Sequence, residues 1–189
     1  MTITITPTPL PGLLILNQTI AEDERGFFME VFKKKVFADL GLPTEFVQDN
    51  HSRSSKNVIR GLHFQWNPPQ GKLIRVTVGE AFVVAVDIRK KSPTLGQWFG
   101  QNCSARSKVQ IWAPSGFATG FCVVSDVAEV QYKCTGEYNQ ACESGIRWND
   151  PEVGIQWPTD RPLLSAKDAA AQSLREWHAR PESDFFQFS

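Results

Sequence analysis

Apolar and polar residues alternate with a period of two through the middle of the chain. In residues 73–79 (LIRVTVG), Ile74, Val76 and Val78 fall on one face, the signature of a strand. Gly79-Glu80 then offers a turn, and residues 81–89 (AFVVAVDIR) read as a second strand. Here Phe82, Val84, Val86 and Ile88 share one face while Ala81, Val83 and Ala85 occupy the other. With both faces apolar, this strand is expected between a barrel interior and a second covering layer. Further strands are predicted at 108–113 (KVQIWA), 121–124 (FCVV) and 126–134 (DVAEVQYKC). Turn residues separate them: Ser92-Pro93, Pro114-Ser115-Gly116, Ser125-Asp126 and Thr135-Gly136.

Helical signals are few. One short helix is predicted over 33–40, with Gly41 as its stop. A second begins near Ser165, where Ser-Ala-Lys-Asp resembles a capping box with Asp in place of Glu, and is expected to cover about 165–178. Many short strands with few helices predict an all-β antiparallel sandwich or barrel. No internal repeat, low-complexity tract or linker divides the 189 residues, so a single domain over 1–189 is expected.

Composition narrows the partners. Lys plus Arg equals Asp plus Glu, 20 against 20, which gives no general electrostatic reason to expect nucleic acid or an anionic membrane. The first residues, MTITITPTPLPGLLIL, carry no basic group and are interrupted by Pro7, Pro9 and Pro11. They read as neither signal peptide nor membrane span. The four cysteines form no CxxC pair and read as reduced thiols of a cytoplasmic protein.

Chemistry concentrates in residues 48–76 (QDNHSRSSKNVIRGLHFQWNPPQGKLIRV), which hold two of the three histidines together with Arg53, Arg60, Lys72 and Arg75. A small-molecule site competes there with a polar sheet edge. The stretch RGLHFQ…QGKLIRVTVGEAFVVAVDIRKKSPTLGQW resembles the core signature of the dTDP-4-dehydrorhamnose 3,5-epimerase family. So do DERGFFMEVF (23–32), QDNHSRSSK (48–56), QYKCTGEYN (131–139), ESGIRWNDPEVGIQWP (143–158) and LSAKD (164–168), in the family's order across nearly the whole chain. The resemblance implies a cupin-type jelly roll, a homodimer that exchanges an N-terminal strand, and neither metal nor organic cofactor.

The implied reaction makes sense of the residues. In a 4-keto sugar the carbonyl acidifies the hydrogens on C3 and C5. Inversion then needs a base on one face, an acid on the other and a group to hold the enolate oxygen. By resemblance His63 is the base, Asp168 orients it, Tyr132 is the acid and Lys72 holds the oxygen. Tyr132 alternates with Ala128, Val130 and Cys134 on the apolar face of its strand, and so points inward. Arg25 and Arg60 match diphosphate contacts, as paired guanidinium donors suit. Glu30, Gln48, Asp49 and Asn50 match positions lining the nucleotide and sugar, and Glu143 and Lys167 match two further contacts. Part of the N-terminal set would serve the neighbouring subunit. Each residue also has a plain structural role open to it: His63 as an ordinary bonded histidine, Tyr132 as core, Asp168 as a helix cap, Lys72 as a loop lysine, Arg25 and Glu30 in surface ion pairs.

Two features need reconciling. Strict alternation puts Arg60 and His63 on opposite faces, so a bulge or kink at Gly61 is predicted. Many family members also carry a histidine in a GFAHGF segment, where this chain reads GFATGF with Thr119. Threonine cannot carry charge. Thr119 is expected to touch the sugar through its hydroxyl, and a monofunctional 3- or 5-epimerase is the nearest rival reading. A metal-dependent cupin would need clustered histidines, and a non-catalytic sugar-nucleotide binder need not keep His63, Lys72, Tyr132 and Asp168 together. No role is assigned to the terminal ESDFFQFS.

Overall fold

The computed structural model describes residues 2–188. Two antiparallel sheets face one another. The six-stranded sheet contains β1 (Ile3–Pro7), β2 (Leu14–Gln18), β5 (Gln48–Ser55), β7 (Lys72–Val78), β10 (Gln110–Ala113) and β12 (Val127–Cys134), in the order β1-β2-β10-β7-β12-β5. The five-stranded sheet runs β13-β6-β11-β8-β9 and is built from β6 (Ile59–Gln65), β8 (Glu80–Asp87), β9 (Trp98–Ser104), β11 (Phe117–Val123) and β13 (Glu143–Gly145). A small hairpin, β3 (Ala21–Asp23) and β4 (Gly26–Phe28), belongs to neither. This is the antiparallel sandwich that the pattern predicted and the jelly roll of the cupin type that the resemblance implied.

β8 shows why the strands fold this way. Ala81, Val83 and Ala85 join Ile74, Val76 and Val130 in the core between the sheets. On the other face Val84 and Val86, with Ile88 just beyond, pack under Leu174, Trp177 and Phe186 of the C-terminal segment. The covering layer read from two apolar faces is therefore the end of the chain itself. Trp177 is fully buried, its ring centroid 4.5 Å from Phe64 and 5.4 Å from Trp66. Burying a tryptophan of this size contributes about 3–5 kcal/mol.

The helices differ from expectation. The first, α1 (Lys34–Asp39), ends before Gly41 as predicted. The second is two short helices, α2 (Ala166–Ala169) and α3 (Leu174–His178), not one over 165–178. At α2 only half a capping box forms: the Ser165 hydroxyl accepts from the Asp168 N–H. The full box sits at α3, where Ser173 and Glu176 cap each other. The final residues are not idle, since Phe186 is buried and Phe188 lies under the Arg89 guanidinium, 4.9 Å away. The Thr- and Ile-rich start forms β1, which pairs antiparallel with β2.

The predicted irregularity at Gly61 is present. Along the β6–β11 ladder Thr119 faces His63 but Phe121 faces Arg60, so β6 carries one residue more than β11 over this step. Gly61 has φ +136°, and a Cβ there would sit 2.5 Å from the Gly120 Cα. Alanine would meet both backbone strain and a backbone clash. Gly61→Ala is expected to cost about 2–4 kcal/mol of stability, read as a lower urea midpoint at unchanged slope. A midpoint equal to that of the parent would show that the strands can part here without loss.

Candidate active site

The bulge brings to one cavity what simple alternation would separate. A cavity of about 410 Å³ opens between the sheets, within the range of small-molecule sites. Its walls include Arg60, His63 and Thr119 from the five-stranded sheet and Lys72 and Tyr132 from the six-stranded one. Lys167 and Asp168 close one side from α2. A neighbouring space of about 260 Å³ shares His63, Lys72 and Tyr132 and adds Gln48, Asn50 and Glu143.

His63 and Asp168 are 105 residues apart in sequence yet hydrogen-bonded, Nε2 to Oδ1, at 2.6 Å. Asp168 is buried, which alone would favour its neutral form. Hydrogen bonds from His63, the Ser165 hydroxyl and the Gly61 N–H, with the His63 charge, outweigh that burial and hold the carboxyl below its ordinary value of 3.8. The stability this group contributes is therefore fully present above the ordinary carboxylate range and is lost only as pH falls through the lowered value. At neutral pH the carboxylate is charged, fixes the imidazole and leaves Nδ1 as the nitrogen for proton transfer.

Lys72 begins β7 in one sheet and reaches across to the other. Its Nζ donates to the His63 carbonyl at 3.2 Å and to the Thr119 hydroxyl at 3.3 Å. Burial pushes its pKa down, opposed in part by the neighbouring Cys134 and Glu143. Tyr132 projects inward beside Val130 and Ile74, as the alternation of its strand predicted. Burial, with Cys134 and Glu143, pushes its pKa up, so the phenol keeps its proton at neutral pH. Imidazole and phenol thus stand on facing sheets, with an ammonium between them.

The remaining predicted residues divide. Arg60 lines the cavity and donates from Nε to the Ser54 hydroxyl at 2.9 Å, leaving its terminal nitrogens for a ligand. Gln48 and Asn50 point inward on β5 and are joined at 3.0 Å. Glu143 bonds Lys167 and the Tyr138 hydroxyl. Asp49, one residue out of phase with Gln48 and Asn50, lies on the outer face of β5 away from this chain's cavity and pairs with Lys133 at 2.7 Å. Arg25 and Glu30 are also away from this chain's cavity. Arg25, in the β3–β4 turn, is 85% exposed and held to Asp23, and Glu30 pairs with Lys33 at 3.3 Å. Tyr138 was missed although it lies in a quoted block. Its N–H donates to the Gln48 side chain at 2.7 Å and it lines the second space. Among the described residues no group of three or more His, Cys, Asp or Glu is placed to hold a metal ion.

A family model described as dTDP-4-dehydrorhamnose 3,5-epimerase matches residues 7–176. The chain belongs to that family. The dTDP-4-dehydrorhamnose 3,5-epimerase of Salmonella typhimurium is 55% identical over 170 residues, covering 88% of this chain and 93% of the relative. Among solved structures, the dTDP-6-deoxy-D-glucose-3,5-epimerase of Legionella pneumophila, in complex with dTDP-4-keto-L-rhamnose, superposes with a TM-score of 0.93. It is 45% identical and 99% of each chain is covered. A dTDP-4-dehydrorhamnose 3-epimerase of Streptomyces niveus is more distant, 37% identical over 90% of this chain and 83% of its own. The epimerase reading is thus favoured over the metal-dependent and non-catalytic alternatives, and the double epimerase over the monofunctional one. In this epimerase, Asp168→Asn would leave His63 without an anionic partner. The expected result is a fall in kcat on the order of 10²–10³-fold with KM little changed, measured by steady-state epimerisation alongside circular dichroism to confirm folding. A kcat near the parent's would reduce Asp168 to a helix residue.

Proposed function

We propose that the chain epimerises dTDP-4-dehydro-6-deoxy-D-glucose at C3 and C5, giving dTDP-4-dehydro-L-rhamnose for dTDP-rhamnose synthesis. The observation that carries the mechanism is the His63–Asp168 pair on one wall facing the protonated Tyr132 on the other, with Lys72 reaching between them. His63 Nδ1 takes the proton from C3 or C5, and the C–H electron pair moves into an enolate whose oxygen is the former C4 carbonyl. The Lys72 ammonium stabilises that oxygen. Tyr132 delivers a proton to the opposite face; solvent then reprotonates the phenolate and takes the proton from His63, restoring both groups. No electron acceptor is needed, because the substrate is already a ketone.

Arg60 binds the diphosphate, Gln48 and Asn50 the nucleotide side of the ligand, and the Glu143–Lys167 pair its sugar end. The whole chain acts as one domain. All four thiols are free, in keeping with a cytoplasmic setting, and no helix of the described residues is long and apolar enough to cross a membrane. Proton NMR with the dTDP-4-keto sugar in deuterated water tests the chemistry. Loss of both the C3 and C5 proton signals is expected, abolished in His63→Ala. Retention of either signal would sink the double epimerase.

The second element of the proposal is a homodimer in which the β3–β4 hairpin serves the neighbour's site. Phe27 and Phe28 are 59% and 64% exposed beside Arg25, an unusual outlay of aromatic surface for an isolated chain. Mixing inactive His63→Ala and Arg25→Ala chains would then restore activity. A hybrid dimer holds one intact site of two, so statistical exchange yields roughly a quarter of the parent rate. No recovery, with subunit exchange verified by native mass spectrometry, would return Arg25 to its own chain.

A further inference from the structure

We propose that Thr119 is the positioning residue for Lys72: its hydroxyl and the backbone carbonyl of His63 together anchor the ammonium and turn its third N–H into the cavity. This rests on the epimerase reading but adds a residue whose work is indirect. Thr119 is buried, at 6% exposure, and stands directly opposite His63 on the β6–β11 ladder. A buried hydroxyl requires partners. Its Oγ1 accepts from Lys72 Nζ at 3.3 Å and lies 3.5 Å from the His63 carbonyl oxygen.

An ammonium carries three donors. Two are directed at protein atoms, the His63 carbonyl at 3.2 Å and Thr119, both long enough that each bond is weak. Their value is directional. Lys72 has a flexible four-carbon stem, and two acceptors on the far sheet leave it one orientation across the cavity. One of those acceptors is the backbone of the base itself. Proton abstraction at His63 and charge stabilisation at Lys72 are thereby held in register through a single strand pair. On this proposal Thr119 acts on the sugar through Lys72, in place of the direct contact expected from the sequence.

Alkaline pH offers a readout that a packing role would not move. Lys72 is faced by Tyr132 and Cys134 from β12, Glu143 from β13, Lys167 from α2 and His63 from β6. Burial pushes its pKa down from the ordinary lysine value of 10.5 and that of Tyr132 up from 10.0. The Lys72 titration is therefore read directly, and the alkaline limb of kcat is compared with it. Removing an acceptor disfavours the ammonium, and the limb moves toward acid.

The experiment compares the parent, Thr119→Val and Thr119→Ser by epimerisation kinetics across neutral and alkaline pH. The Lys72 ammonium is also titrated by NMR in ligand-free, lysine-labelled protein. Valine is expected to lower kcat on the order of tenfold, with KM held within about twofold. It should move both the limb and the Lys72 titration toward acid by roughly half to one pH unit. Serine, which keeps the hydroxyl, should bring both back. An unmoved Lys72 titration in the valine variant overturns the proposal. So does a raised KM with an unmoved limb, which would put the hydroxyl on the sugar. Should valine disturb the fold, Thr119→Ala makes the same comparison. If the parent itself exchanges no substrate proton, the epimerase reading fails, and the NMR titration still decides whether Thr119 holds Lys72.

Discussion

Between β6 and β11 two backbones meet with no side chain to separate them. A Cβ on Gly61 would lie 2.5 Å from the Gly120 Cα, and one on Gly120 would lie 2.7 Å from the Arg60 carbonyl oxygen. Only glycine at both positions permits that approach. The extra residue in β6 changes the parity of the strand, so Arg60 and His63, three apart, face the same cavity. The same step places Thr119 across from His63 and turns the Gly61 N–H toward Asp168. A local departure from regular pairing thus sets Arg60, His63, the Asp168 carboxylate and Thr119 around one cavity at once.

Electrostatics then assigns the roles. Burial works against ionisation at Asp168 and Tyr132 alike, yet the two end in opposite states. Asp168 receives three hydrogen bonds and stays charged, whereas no such donors outweigh burial at Tyr132, which is pushed toward its neutral form. At one pH the site therefore holds an imidazole with an anionic partner on one sheet and a protonated phenol on the other. Environments that drive titratable groups apart are what let one cavity supply both an acid and a base. Lys72 adds a buried cation held by two long, weak hydrogen bonds.

Much of this was legible in the sequence, unevenly. Period-two alternation read β8 with its two apolar faces and β12 with Tyr132 turned inward, but β11 (Phe117–Val123), buried at every position, was read only over 121–124. The Gly61 irregularity was legible for the same reason, since two ligand-facing residues three apart conflict with a regular strand. Alternation failed where composition is polar. β9 (WFGQNCS) and β5 (QDNHSRSS) carry no apolar period, and their pairing is decided by neighbours distant in sequence. Phase explains the position of Asp49: three consecutive residues on a strand cannot all face one side, and Gln48 and Asn50 take the inner one. The split into α2 and α3 was hidden because Ser165 and Ser173 both open with a capping pattern, and only packing distinguishes two helices from one.

Completion of the site also depends on the last quarter of the chain. After β13 the backbone returns along the five-stranded sheet, where the Leu163 N–H bonds the Asn57 carbonyl and the Ile59 N–H bonds the Leu163 carbonyl. Ser165 then caps α2 and sets Asp168 against His63. Nothing in α2 is long enough to hold this position unaided, since four residues form barely one turn. What holds it is the layer beyond, where Leu174, Trp177 and Phe186 bury themselves on Val84, Val86 and Phe64. The His63–Asp168 pair is thus closed by the same apolar contact that covers the outer face of β8. A chain that failed to dock its C-terminal layer would lose the carboxylate partner of His63 before it lost its barrel.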